Sequence, residues 1–372
     1  MDKPRSIKQL KTLIRMAFLS LAVSSLSALP RFAAMEEVSC GSCHSYQGGG
    51  ANRTSYGEEY ARESLVIKDF SFPWENEDSE FPVYFGLDTR YQMIAESDED
   101  LRQFPMQFAL YAGTEFGGLI AHAEASRISD EFRITGGLRY EGLPLESWIG
   151  VSKALPILGW RIDDHSVFTR GGNLTLQGLP REGMPYTPFI ESPSLVEIGS
   201  APIDGLEVTL MAGTPFIQEI QPLDSDMFTA AKMSYSFSAD LFSAQIGLAY
   251  FDENKLMNGS IATWAVSSHG FVLLGEWAQM NGWIESGITN LATFQQLSYR
   301  LFQGLDMVGR YEFFDPNMDL TTGAIQRASL GLEFFPVRGV EVKLSYRSST
   351  LDLPDSTPDP QSQILSQIHF YL

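Results

Sequence analysis

The chain has 372 residues and carries 26 Lys and Arg against 46 Asp and Glu, a formal charge of −20. That acidity excludes a nucleic-acid binder, which needs a basic face for phosphates. Two cysteines, Cys40 and Cys43, exclude a disulfide scaffold and a four-cysteine zinc site, while 12% aromatic residues and near-neutral hydropathy exclude general disorder.

Residues 1–28 read as a secretory signal peptide. Lys3, Arg5, Lys8, Lys11 and Arg15 form a basic region, Met16 to Val23 a short apolar stretch, and Ser24, Ser25, Ser27 and Ala28 the small residues a signal peptidase accepts. The apolar stretch is too short to span a bilayer, which takes about 20 residues. Cleavage after Ala28 removes five positive charges and one negative one, moving the net charge from −20 to −24.

Residues 29–79 hold Cys40-Gly41-Ser42-Cys43-His44. In a C-x-x-C-H string two thiols form thioethers to the two vinyl groups of one haem, and the next residue carries its imidazole to the iron. A redox disulfide needs a βαβ context that is absent around this string, and a zinc site needs a second ligand pair. Export supplies the compartment in which such haem is attached. The expected cofactor is therefore one covalent haem c on Cys40 and Cys43, with His44 as metal ligand. Met35 is the nearby candidate for the sixth position. About 50 polar residues bury too little surface for a free-standing cytochrome, so this segment has to lean on something larger.

From about residue 80 the pattern turns to period two. Val340, Val342, Leu344 and Tyr346 alternate with Glu341, Lys343, Ser345 and Arg347, and Phe242, Ala244, Ile246, Leu248 and Tyr250 with Ser243, Gln245, Gly247 and Ala249. Sustained alternation over strands of about ten residues predicts an all-β fold over 80–372: an antiparallel transmembrane barrel of the outer membrane, apolar outward and polar inward, with about 16 strands. The strands fall near 80–95, 101–113, 117–127, 131–142, 146–155, 192–200, 204–213, 227–237, 240–251, 258–267, 270–280, 289–299, 304–314, 324–335, 339–350 and 362–372. Tight links such as Ser268-His269-Gly270 mark a periplasmic rim, and longer stretches such as 215–226 and 315–323 an outer one. An even count puts both ends of the barrel at the periplasmic rim.

A long loop, about 156–191, contains Arg161-Ile162-Asp163-Asp164-His165-Ser166. Asp163, Asp164 and His165 are candidate ligands for a divalent cation, and the alternative is a folded loop that narrows the pore through Arg–Asp pairs. His122 and His269 read as ordinary lumen or turn residues, and His369 sits on the polar phase of the last strand.

A signal, one C-x-x-C-H and a barrel resemble the fused monohaem cytochrome–porin family of outer-membrane iron-oxidising cytochromes. The specific likeness lies in Pro30-Arg31-Phe32-Ala33 ahead of Cys40-Gly41-Ser42-Cys43-His44, with Tyr56-Gly57-Glu58-Glu59-Tyr60 a loose counterpart of a string after the haem. The resemblance implies oxidation of extracellular Fe(II). From the residues themselves the expectation is an electron-transfer protein that contacts membrane lipid. It would exchange electrons with a periplasmic cytochrome on one side and with Fe(II) or another redox partner outside. Two alternatives stay open: a porin with a haem-bearing docking or redox-sensing segment, and a barrel that sheathes a separate multihaem cytochrome.

Overall fold

The computed structural model describes residues 30–36, 43–44, 53–69, 83–96, 100–128, 131–160, 164, 166–172, 183–185, 192–215, 227–253, 257–353 and 360–371. The expected signal peptide, Cys40, Asp163 and His165 lie outside the described residues.

Sixteen antiparallel strands close into one barrel. They are β1 (Val83–Glu96), β2 (Arg102–Phe116), β3 (Leu119–Ile128), β4 (Glu131–Leu143), β5 (Ser147–Lys153), β6 (Ser194–Ile203), β7 (Leu206–Gly213), β8 (Phe228–Ala239), β9 (Phe242–Glu253), β10 (Met257–Ser268), β11 (Phe271–Asn281), β12 (Thr289–Phe302), β13 (Leu305–Asp315), β14 (Ile325–Phe334), β15 (Val340–Leu351) and β16 (Gln361–Tyr371). Each strand pairs with its sequence neighbours, and β1 closes on β16 with Asp88 opposite Tyr371 and Gln92 opposite Gln367. Closure removes the unpaired edges that a bilayer does not tolerate.

The alternation works outward as the sequence predicts. Leu344 and Tyr346 of β15, Leu330 of β14, and Ile246 and Leu248 of β9 are all exposed on the outer surface, which is the face a lipid-embedded barrel presents. One rim carries tight turns, among them Gly117-Gly118, Asp204-Gly205, His269-Gly270 and Gln303-Gly304, and both ends of the barrel lie there. The other rim carries the longer connections, including the one from β5 to β6.

Inside, the pattern departs from the expected polar lumen. On β9 to β14 large apolar side chains are interleaved with the inward polar ones: Phe251, Met257, Ile261, Leu274, Met280, Phe294 and Phe314 are buried beside Glu276, Asp306, Glu312 and Arg327. The apolar ones are buried because two inserted segments pack on them. The first segment is α1 (Pro30–Met35), which lies against β9, β10 and β11. Next come α2 (Ser55–Tyr60) and its π-helical continuation Ala61–Leu65. The second insertion is the β5–β6 connection, with a short 3-10 turn at Phe168–Arg170.

Candidate functional site

Pro30 opens α1, where its missing N–H costs nothing, and Phe32 and Ala33 give the helix a buried face. Phe32 meets Phe335 edge-on at 5.9 Å and Tyr60 at 6.0 Å. Arg31 is buried between Glu333, with which it forms an ion pair, and Asp306 at 3.6 Å. Its guanidinium also covers the Phe32 ring at 4.5 Å. Ser243 Oγ donates to the Ala34 carbonyl at 3.1 Å. The helix is thus fastened by charge, ring contacts and backbone at once.

Cys43 and His44 sit beside this helix at the short-turn rim. The Cys43 carbonyl accepts from the Thr54 amide at 3.1 Å, and His44 bridges to Arg53. Thr54 caps α2, its Oγ1 accepting from the Gly57 amide at 3.1 Å. Gly57 is required here: a Cβ on it would fall 2.0 Å from the Cys43 carbonyl oxygen. Glu58 ties the segment to the barrel, taking Arg53 at 3.2 Å and Arg338, in the β14–β15 turn, at 2.7 Å. Arg53 also lies 4.7 Å over the Tyr371 ring. Gln303 donates to the carbonyls of Glu63 and Val66, and the Ile67 amide to that of Phe335. Burial pushes the Cys43 thiol up to about 11; the nearby Glu36 carboxylate adds to the rise and Arg53 opposes it.

A cavity of about 330 Å³ opens beside the end of α1. It is lined by Met35 and Glu36, by Asp240 to Phe242 of the β8–β9 turn, by Ser267 to Gly270 of the β10–β11 turn, and by Arg300. Met35 lines this cavity and also packs on both adjoining apolar clusters, one around Phe32, Tyr60 and Phe335, the other around Trp160 and Phe294.

The β5–β6 connection descends from the opposite rim to meet α1. The Trp160 amide and Arg170 both bind the buried Glu276 carboxylate, at 2.6 Å and 3.2 Å, and Trp160 Nε1 donates to the Gly275 carbonyl. Asp164 pairs with Arg310 at 2.7 Å and approaches Arg347 at 3.7 Å. Phe168 stacks on Phe314, and its amide donates to Glu312, which also holds Arg327. Ala34 and Met35 pack against the cluster of Trp160, Val167, Ala265, Val272, Leu274 and Phe294, so both insertions contribute to one apolar cluster inside the barrel. Of the proposed cation ligands only Asp164 is described, and it faces arginines. Among the described residues no group of three or more His, Cys, Asp or Glu is placed to hold a metal ion.

Two histidines have a setting that the sequence did not mark. His369 is buried between Glu341 at 2.9 Å from Nδ1 and Asp88 at 3.1 Å from Nε2, with Arg90 and Lys343 completing the cluster. His269 lines the short-turn cavity. The remaining lumen, along β4 to β6, is polar: Arg139 pairs with Glu141 and covers the Trp148 ring, and Trp148 donates to Glu197.

No family model and no curated protein matches this chain. Its fold is similar to solved porins. The anion-selective porin from Comamonas acidovorans has 12% identity and a TM-score of 0.54, over 78% of this chain and 99% of that one. OprB of Pseudomonas putida has 10% identity and a TM-score of 0.57, over 78% and 94%. A loop L8 deletion mutant of OmpT, an outer membrane protein of Vibrio cholerae, has 12% identity and a TM-score of 0.53, over 78% and 99%. The chain has a porin-like outer-membrane barrel fold. At these identities the likeness is one of architecture and carries no activity across.

Proposed function

We propose that this chain is an electron-transfer protein of the bacterial outer membrane, carrying one covalent haem c at the periplasmic mouth of a plugged barrel. Cys40 and Cys43 would form the thioethers and His44 the proximal bond; the donor set of the C-x-x-C-H string fits that group. Bound there, the haem supplies a one-electron carrier. The observation that carries the reading is where Cys43 and His44 lie. They are fastened by Thr54, Glu58 and Arg338 to the short-turn rim, beside α1, which packs inside the barrel on β9 to β11. The described residues of both insertions fill the β9–β14 side of the lumen, which suits an insulated seat better than a diffusion pore and speaks against a separate multihaem protein threaded through it.

A periplasmic cytochrome is the partner expected at that rim. On the outer side the acidic chain favours cations by long-range attraction, and the family resemblance points to Fe(II) as donor. A second reading, a porin with a haem-bearing docking segment, is favoured by the polar strip of Arg139, Glu141 and Glu197. The test is a visible spectrum and pyridine haemochrome of the detergent-purified mature protein, then anaerobic addition of Fe(II), then electron transfer across proteoliposomes. A covalent haem that Fe(II) reduces, and that passes electrons across the vesicle wall, supports the proposal. Ion conductance without transmembrane electron transfer supports the porin.

A further inference from the structure

Arg347 of β15 is 2% exposed, yet among the described residues no carboxylate accepts a hydrogen bond from it. Its Nη2 donates to Ser166 Oγ at 2.8 Å and lies 3.7 Å from Asp164 Oδ2. That carboxylate is already taken. Oδ2 accepts from Arg310 at 2.7 Å, and Oδ1 accepts from the Ser166 amide and hydroxyl at 3.0 and 2.5 Å. Arg347 Nε and Nη1 are buried with no hydrogen-bond partner among the described residues. A guanidinium left half-paired inside a protein is costly, because burial removes the water that would solvate it.

The neighbouring charges do not relieve it. Glu312 and the Ser166 carbonyl hold Arg327. Glu341 faces Lys343 at 3.2 Å, and Glu333 is shared by Arg31 and, at 3.6 Å, by Arg310. Asp164, Glu312, Glu333 and Glu341 are thus each engaged by another cation.

A cavity of about 60 Å³ adjoins these groups. β13 to β16 supply most of its wall, and Asp164 and Ser166 bring in the β5–β6 connection. Arg310, Lys343 and Arg347 line it against two carboxylates, Asp164 and Glu333. The space exists because the strands carry small inward residues there, Ser329, Gly331 and Ser345. One water takes about 10–15 Å³ of such space, so the cavity has room for a small inorganic anion and little more.

We propose that this cavity binds a small inorganic anion through Arg347. A bound anion would offset the surplus positive charge where the β5–β6 connection docks on β13 to β16, so occupancy and seating of the connection are linked. Neither Cys43 nor His44 lines the cavity, so the site and its test stand apart from the haem reading.

The full mature protein, purified in detergent, is dialysed into sodium gluconate, whose anion is too large for the cavity, and titrated with sodium bromide at constant ionic strength. Trypsin cleavage within residues 156–191 is expected to slow severalfold and to saturate. Crystals soaked in bromide are expected to show anomalous density at hydrogen-bond distance from Arg347 Nε or Nη1. Arg347→Gln is expected to lose the bromide dependence. Ser345→Asp sets a fixed carboxylate between Lys343 and Arg347 on the inward face of β15. It is expected to be protected in gluconate alone and to gain nothing from bromide. Unaltered heat-modifiable mobility verifies the barrel in both variants; should Arg347→Gln fail that check, Ser345→Asp and the anomalous density decide. Cleavage indifferent to bromide overturns the proposal, as does a bromide response that persists in the variants. Bromide density without protection, an adventitious ion only, overturns it too, and so does a cavity that holds water alone in the soaked crystals.

Discussion

The backbone amide of Trp160 lies 2.6 Å from the carboxylate of Glu276, which has no exposed surface and also holds Arg170. One inward carboxylate on β11 therefore anchors two points ten residues apart, Trp160 and Arg170, in the connection that enters the barrel from the long-loop rim. Glu276→Gln keeps the size of the side chain and removes the charge. Breaking one partner of a buried ion pair costs about 3–5 kcal/mol, because the other charge is left in a dry site. The expected result is a loosened connection, read as faster trypsin cleavage within residues 156–191 and larger ion conductance in a planar bilayer. Unchanged cleavage and conductance would mean that the seat of the connection lies elsewhere.

Phe32 does the corresponding work for α1. Its ring contacts Tyr60 and Phe335, and those three residues with Leu65 and Val66 form the apolar centre of the short-turn rim. Phe32→Ala leaves a cavity there and is expected to cost about 3–5 kcal/mol of local stability. Hydrogen exchange should accelerate over residues 30–36 and 53–69, with the barrel strands unaffected. Protection that persists across the N-terminal segment would show that Arg31 and its carboxylates hold the helix without the ring.

The barrel was legible in the sequence because its cause is local. Period two is imposed by the pleat, so β11 was placed at 270–280 and is found at Phe271–Asn281, and the even strand count with both ends on one rim followed from it. The filled lumen was not legible, because its causes are distant in sequence. The inward Val272 and Leu274 are apolar because they pack with Trp160, Ala34 and Met35, and Ala278 and Met280 because they belong to the cluster that includes Leu158, Phe168 and Met184. Asp164 read as a candidate cation ligand or, the favoured reading, as a partner in Arg–Asp pairs, but its actual partner, Arg310, is 146 residues away and could not be named from the sequence. His369 and His269 lacked any motif.

Burial raises the Cys43 thiol from an ordinary 9.0 to about 11. The folded segment thus holds this proton more tightly than the unfolded chain does. Its contribution to local stability is complete below about pH 9 and is lost as the pH climbs through 11. In protein made without haem attachment, alkylation of Cys43 at pH 8 is expected to be about a hundredfold slower than for an unfolded thiol, since the thiolate reacts. The rate should rise tenfold with each pH step up to the folded value. A rate profile with its midpoint near 9 would show that the segment is open to water.

Gly57 gives the sharpest test of how the haem segment is seated. A Cβ at this position would lie 2.0 Å from the Cys43 carbonyl oxygen and 2.7 Å from its carbon. Backbone atoms cannot yield as a flexible side chain does, so Gly57→Ala must displace either α2 or the Cys43–His44 turn. Overpacking of this kind costs about 1–3 kcal/mol. Moving α2 would break the Glu58 contacts with Arg53 and Arg338, whereas moving the turn leaves them. The three atoms nearest to that Cβ all belong to Cys43 and none to a barrel strand. Gly57→Ala should therefore fold with normal heat-modifiable mobility while its covalent haem, measured by in-gel peroxidase stain per barrel, falls severalfold. Undiminished haem would show that attachment precedes docking of α2 and that the close approach of Gly57 to Cys43 is a consequence of assembly rather than a requirement for it.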